Sequence, residues 1–114
     1  MADNSQNVAG AIRRGRADEI ERVFAAPEWT VRRRDNEMVV SGGAVLLDIY
    51  IDDRDPDGSY NYLISGDVDG SLDEAAAILA QVGAMLERGG VLYHFELPDD
   101  DTPDGVRVIE HPGF

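Results

Sequence analysis

The strongest constraint on the fold is the regular alternation of apolar and polar residues across residues 44–52. In an extended chain, successive side chains point to opposite sides, so every second side chain lies on the same side. Four apolar residues of this segment therefore share one side: Val45, Leu47, Ile49 and Ile51. The other side carries Leu46, Asp48, Tyr50 and Asp52. A stretch rich in Asp, Pro and Gly follows at 53–58, and residues 59–65 alternate again. Two such segments joined by a turn predict an antiparallel pair with one apolar face.

Other segments of the chain add strands and two helices to this pair. We predict further strands over residues 29–34, 37–40, 91–97 and 106–109. A short helix is expected to begin at Asp18 and to end before Pro27.

The second helix is the best-marked element. Ser71 and Glu74 form an S-x-x-E capping box, and Gly89-Gly90 follows the last turn. Between them, apolar residues recur at helical spacing. The predicted order is α-β-β-β-β-α-β-β. The fold class is therefore α+β, with a mainly antiparallel sheet of five to six strands and two helices packed on one face.

The domain boundaries follow from the same pattern. We predict a flexible N-terminal tail over residues 1–16 and a single α+β domain over residues 17–114. The tail lacks the basic and apolar regions of a secretory signal, and no apolar run approaches the roughly 18 residues of a membrane span. A cytoplasmic location is the expectation.

Charge and residue usage exclude several classes of function. The formal net charge is −13, which disfavours binding to nucleic acids and anionic membranes and favours a basic partner. The chain has no cysteine and no lysine. Thiolate chemistry, thiolate-ligated metal centres and lysine Schiff bases are therefore excluded. No cofactor or catalytic residue is predicted.

Two acidic segments resemble functional motifs. Asp67-Val68-Asp69-Gly70-Ser71 resembles the D-x-D-G-[ST] motif of haloacid-dehalogenase-type phosphotransferases. That resemblance would imply an aspartate nucleophile and Mg²⁺, but such enzymes also need a lysine. Asp53, Asp55, Asp57 and Gly58 resemble the start of an EF-hand loop, yet Ile64 stands where the motif needs Glu. We interpret both segments as turns and predict no metal site.

The candidate functional surface is the polar side of the sheet. We predict that it carries Asp48, Tyr50, His94, Glu96 and Arg107, and that it binds a basic protein without catalysis. In size, acidity and lack of cysteine the chain resembles, as a class, bacterial immunity and inhibitor proteins. One alternative is a homo-oligomeric structural or accessory domain, such as a homodimer. The other is a small enzyme built on His94 and Glu96.

Overall fold

The computed structural model describes residues 5–34, 36–54 and 60–114, which form a seven-stranded sheet with two helices on one of its faces. The elements are β1 Ser5–Gly15, α1 Ala17–Val23, β2 Thr30–Arg34, β3 Glu37–Gly42, β4 Val45–Arg54, β5 Tyr60–Asp69, α2 Leu72–Arg88, β6 Leu92–Pro98 and β7 Val106–Glu110. The strand order is β2-β3-β4-β5-β1-β6-β7, and every neighbouring pair is antiparallel. The prediction of an α+β fold is confirmed, with seven strands where five to six were expected.

The additional strand is β1, and it corrects the prediction of a flexible tail over residues 1–16. Residues 5–15 lie inside the sheet, where β1 pairs with β5 on one side and with β6 on the other. Val8 and Ile12 point into the core and are almost fully buried. Residues 1–4 lie outside the described part of the chain. The sequence pattern does not indicate this strand, because its small residues resemble those of a linker.

Gly10 explains why a small residue is needed in this strand. A β-carbon at Gly10 would lie 2.2 Å from the carbonyl oxygen of His94 on β6. Real β-carbons do not approach a backbone oxygen so closely, so the residue lets β1 and β6 come together. The small residues that make this segment resemble a tail therefore allow β1 to pack beside β6 inside the sheet.

In both helices a glutamate of the first turn accepts a hydrogen bond from the backbone amide of the residue that precedes the helix. At the start of α2, the Ser71 hydroxyl accepts a hydrogen bond from the Glu74 amide, and the Glu74 carboxylate accepts one from the Ser71 amide. This confirms the predicted capping box. The first helix starts slightly earlier than predicted, at Ala17, and the Glu19 carboxylate accepts a hydrogen bond from the Arg16 amide.

The core lies between one sheet face and the helices. Ile20 and Phe24 from the α1 region and Leu79, Val82 and Leu86 from α2 are buried with the inward residues of the strands. On the opposite side of the sheet, called here the open face, no described helix packs, and the segment after β7 covers only the part around His94, where the Phe114 ring lies. No helix in the described ranges is long and apolar enough to cross a membrane.

Candidate binding surface on the open sheet face

The strand register fixes which residues share the open face. Pairing places Tyr50, Leu63, Ala11 and His94 in one row across β4, β5, β1 and β6. The neighbouring row consists of Asp48, Ser65, Ala9 and Glu96. Four of the five predicted surface residues therefore lie on one face. They form two separate pairs, because three strand spacings of about 4.8 Å put roughly 14 Å between β4 and β6.

Arg107, the fifth predicted residue, lies on the other side of the sheet. It pairs with the buried Leu97 and points toward the helices. Its guanidinium donates hydrogen bonds to Asp73 at the start of α2 (2.8 Å) and to Asp99 (3.2 Å). The expectation that it could share the water-facing side is wrong, because alternation along β7 turns it inward. Its contacts instead tie β7 to α2.

His94 is held between two carboxylates on the open face. Its Nε2 lies 2.8 Å from Glu96 Oε2, and its Nδ1 lies 2.6 Å from Glu110 Oε1 on β7. Burial alone would lower the pKa of His94, but the hydrogen bonds to Glu96 and Glu110 outweigh it and raise the pKa above its ordinary value. An imidazolium that donates from both nitrogens fits this geometry.

The Phe114 ring stacks on His94, with the ring centroids 5.2 Å apart. The Arg13 guanidinium in turn lies 4.2 Å from the centroid of that phenyl ring and donates to the Phe114 carbonyl oxygen. Both nitrogens of His94 are thus engaged and one ring face is covered. His94, Glu96, Glu110 and Phe114 thus join β6, β7 and the chain after β7. For His94 to act as a general base, one of its nitrogens would first have to be released from its carboxylate partner.

Exposed apolar residues are concentrated on the same face. The described residues expose four large hydrophobic side chains: Leu46 (47%), Tyr50 (37%), Leu63 (37%) and Val108 (45%). All four point away from the helices, as their register partners require. Only Tyr50 was predicted for the surface. Leu46 and Leu63 lie at the outward positions of β4 and β5, where alternation predicts polar residues. Their exposure could therefore be predicted from the sequence.

Asp48 and Glu37 form a carboxyl pair beside these apolar residues. Glu37 on β3 lies diagonally across from Asp48 on β4. Burial, followed by the hydrogen bond and negative charge of Glu37, raises the pKa of Asp48, and Arg34 opposes this weakly. The Oδ1 atom of Asp48 is buried and has no hydrogen-bond partner among the described residues. Ionised Asp48 is therefore an unfavourable group in the free protein.

The described acidic residues of the junctions belong to strands and turns of the fold. Asp67 and Asp69 lie on β5 between two antiparallel neighbours, and a parallel β-α unit is not formed there. Asp99 is buried and accepts hydrogen bonds from Arg107 and from the Asp101 amide. Residues 55–59 of the EF-hand-like segment lie outside the described residues. No group of metal-ligating side chains occurs in the part of the chain that the structure describes.

Several concave surfaces lie on the helix side, and one of them is lined mainly by apolar residues. A groove of about 320 Å³ runs between the β3–β4 turn and α2, lined mainly by apolar residues including Trp29, Ile78, Val82 and Met85. The Trp29 ring packs directly against Gly42, where a β-carbon would be only 2.6 Å from the indole. This groove is the alternative location for a partner, on the side opposite the predicted surface.

The comparisons with known proteins give no relative. No protein-family model matches the chain, and searches of curated proteins and of solved structures found no match.

Proposed function

We propose that this chain is a non-catalytic binding domain, acting in the cytoplasm, whose open face takes up a basic protein. One observation carries the proposal: the four large hydrophobic residues that the described chain exposes all lie on the one sheet face that lacks a covering layer. Tyr50 and Leu63 adjoin each other on this face, Leu46 lies further along β4, and Val108 lies apart on β7. Adjoining exposed apolar residues are typical of interaction sites.

The charge around these residues supports a basic partner. Glu37, Asp48, Asp67, Glu96 and Glu110 all point to the open face. A second copy of the chain would bring the same carboxylates against each other, which is unfavourable across an interface. A basic protein would pair with them, and the net charge of −13 would speed its approach. The exposed Asp100, Asp101 and Asp104 extend the negative surface at the β6–β7 end.

This chemistry is that of an immunity-like or inhibitor-like protein that neutralises a basic partner. The same surface would also serve an accessory subunit of a basic protein. In both cases binding depends on the apolar residues for affinity and on the carboxylates for rate and specificity.

The test uses affinity capture from a native lysate followed by binding measurements with the purified captured protein. The wild type is compared with a Leu46→Ser, Leu63→Ser double variant. The control is an Ala77→Ser, Ala80→Ser variant at exposed positions of α2. We expect a basic captured protein whose Kd rises at least tenfold with the open-face variant and is unchanged with the control. A tenfold change in Kd corresponds to about 1.4 kcal/mol of binding free energy.

Two results would contradict the proposal. One is a captured protein that binds the open-face variant as tightly as the wild type. The other is light scattering that shows a wild-type dimer which the open-face variant dissociates, because this would assign the face to self-association.

A further inference from the structure

The sheet has two edge strands, β2 and β7, and they differ in how their free sides are protected. β2 carries three successive arginines, from Arg32 to Arg34, and charged residues on an edge strand discourage pairing with a further strand. β7 has the sequence Val-Arg-Val-Ile-Glu. Its one arginine, Arg107, points to the helix side, where carboxylates of α2 and of the β6–β7 loop match its charge. The middle of β7 therefore lacks the protection that β2 has.

The hydrogen bonds between β6 and β7 show which backbone groups face the free side of β7. The His111 amide donates to the carbonyl oxygen of Tyr93 (3.0 Å), the residue directly opposite in the register. Bonded and non-bonded pairs alternate along an antiparallel ladder. The amide and carbonyl groups of Glu110 and Val108 therefore point away from β6, and so do those of Val106.

The middle of this free side keeps its hydrogen-bonding groups unused. The carbonyl of Val106 accepts a hydrogen bond from the Thr102 hydroxyl (2.9 Å), so the β6–β7 loop covers that end. No described residue bonds to the outward amide and carbonyl groups of Val108 and Glu110. The Val108 side chain, 45% exposed, lies on the open face of the same stretch. Unused donors and acceptors beside an exposed apolar side chain form a template for one further strand.

The charges beside this stretch indicate what such a strand carries. Glu110 is the last residue of β7, and its side chain is 45% exposed although one carboxylate oxygen bonds to His94. At the other end of β7, the preceding loop exposes Asp101 and Asp104. The apolar Val108 thus lies between two negatively charged ends. A complementary strand has apolar residues in its middle and a cationic residue at each end.

We propose that an extended segment of the basic partner adds to the free side of β7 as an antiparallel strand, with apolar residues facing Val108 and a cationic residue at each end. This inference rests on the proposed function and specifies which part of the basic partner is recognised. Antiparallel addition continues the pattern of the sheet, in which every described neighbouring pair is antiparallel. A second copy of β7 is disfavoured here, because antiparallel pairing would bring the acidic loop of one copy beside Glu110 of the other.

The test uses the designed peptide Lys-Thr-Val-Thr-Val-Thr-Lys in two forms that differ only in where the backbone is N-methylated. In the proposed pairing, the valine amides face β7 and the threonine amides face away from it. One form is methylated at both valines and the other at two of the threonines. An NMR titration of the wild-type chain gives the Kd of each form.

We expect the threonine-methylated form to bind at least tenfold more tightly, because the other form cannot donate its central hydrogen bonds to β7. Its binding should shift the amide signals of Val108 and Glu110. Equal binding of the two forms would overturn the inference, because it would show attraction by charge alone.

Two variants of the chain locate the binding. Val108→Pro removes an outward amide and leaves the hydrogen bonds between β6 and β7 in place, because that amide points away from β6. Val108→Thr keeps the amide and a branched side chain, and is the matched control. We expect Val108→Pro to weaken the threonine-methylated peptide at least tenfold and Val108→Thr to leave its Kd nearly unchanged.

Circular dichroism checks that each variant is folded, and Val106→Pro, which also removes an outward amide, replaces Val108→Pro if that variant is not. A folded proline variant that binds the peptide like the wild type would overturn the inference. Light scattering of the chain alone tests self-pairing. A wild-type dimer that the proline variant dissociates would also overturn the inference, because a second copy would then occupy the edge.

The captured basic protein separates this inference from the proposed function. If its binding is lost with the Leu46, Leu63 double variant but retained with the proline variant, the open face is the interface and the strand proposal is wrong. If neither variant affects its binding, the proposed function itself is wrong.

Discussion

Replacing Asp48 with Asn should make the free protein more stable at neutral pH, although it removes a charge from the proposed interface. Asp48 is partly desolvated and lies beside Glu37, and the amide of Asn can donate a hydrogen bond to that carboxylate. Relief of a like-charge pair between neighbouring strands is worth about 0.2–1 kcal/mol. For a chain of this size, that gain corresponds to a rise in Tm of about 1–5 °C.

The direction of the pKa shift of Asp48 determines how its effect on stability changes with pH. The pKa of Asp48 is raised above its ordinary value of 3.8 in the folded state, so the folded chain takes up this proton more readily than the unfolded chain. The destabilisation by Asp48 is therefore fully present above the raised pKa and disappears as the pH falls to the ordinary value. The advantage of Asp48→Asn should shrink over the same window.

Thermal or urea unfolding from pH 3.5 to pH 7.5 measures this effect. Asp67→Asn, at an exposed carboxylate on the same face, is the matched control and should change the free energy of unfolding by less than about 0.5 kcal/mol. A loss of stability with Asp48→Asn at pH 7 would refute the reasoning, because it would mean that attraction between Asp48 and Arg34 outweighs the desolvation and the repulsion by Glu37.

Two further predictions concern the strands around β1. Gly10→Val should destabilise the protein by about 1–3 kcal/mol or prevent folding, because the new side chain would meet the His94 carbonyl. The control Ala11→Val should fold normally, and urea unfolding distinguishes the two variants. Equal stability of the two would contradict the position of β1 between β5 and β6. Glu110→Gln should lower the pKa of His94 in an NMR titration. Because that pKa is raised above 6.5, the stabilisation by His94 is complete below pH 6.5 and is lost as the pH rises through the folded value, and this loss should be smaller in the variant.

Most of the fold could be predicted from local patterns. The alternation around Leu47 and the Ser71–Glu74 capping box depend on residues that are close in sequence, and both predictions are confirmed. The strand β1 was missed because Gly10 and its alanine neighbours give weak alternation and resemble a linker. The need for small residues there comes from β6, some 80 residues later in the chain, and no local pattern records such a contact.

The candidate surface, like the fold, could be predicted where it depends on local patterns and could not where it depends on long-range strand pairing. Alternation correctly places Asp48, Tyr50, His94 and Glu96 on one face. It also places Leu46 and Leu63 on that face, although neither is among the predicted surface residues. The separation of the first four into two pairs depends on β5 and β1 lying between them. That strand order arises from long-range pairing, so the separation of the two pairs could not be derived from the sequence.

The most direct test of the proposed interface is a methyl NMR spectrum of the chain with and without the captured basic protein. The proposal predicts that the Leu46, Leu63 and Val108 methyl signals shift on binding, while those of the buried Leu79 stay in place. Shifts confined to Ile78 and Met85 would contradict it, because they would place the partner in the groove beside α2.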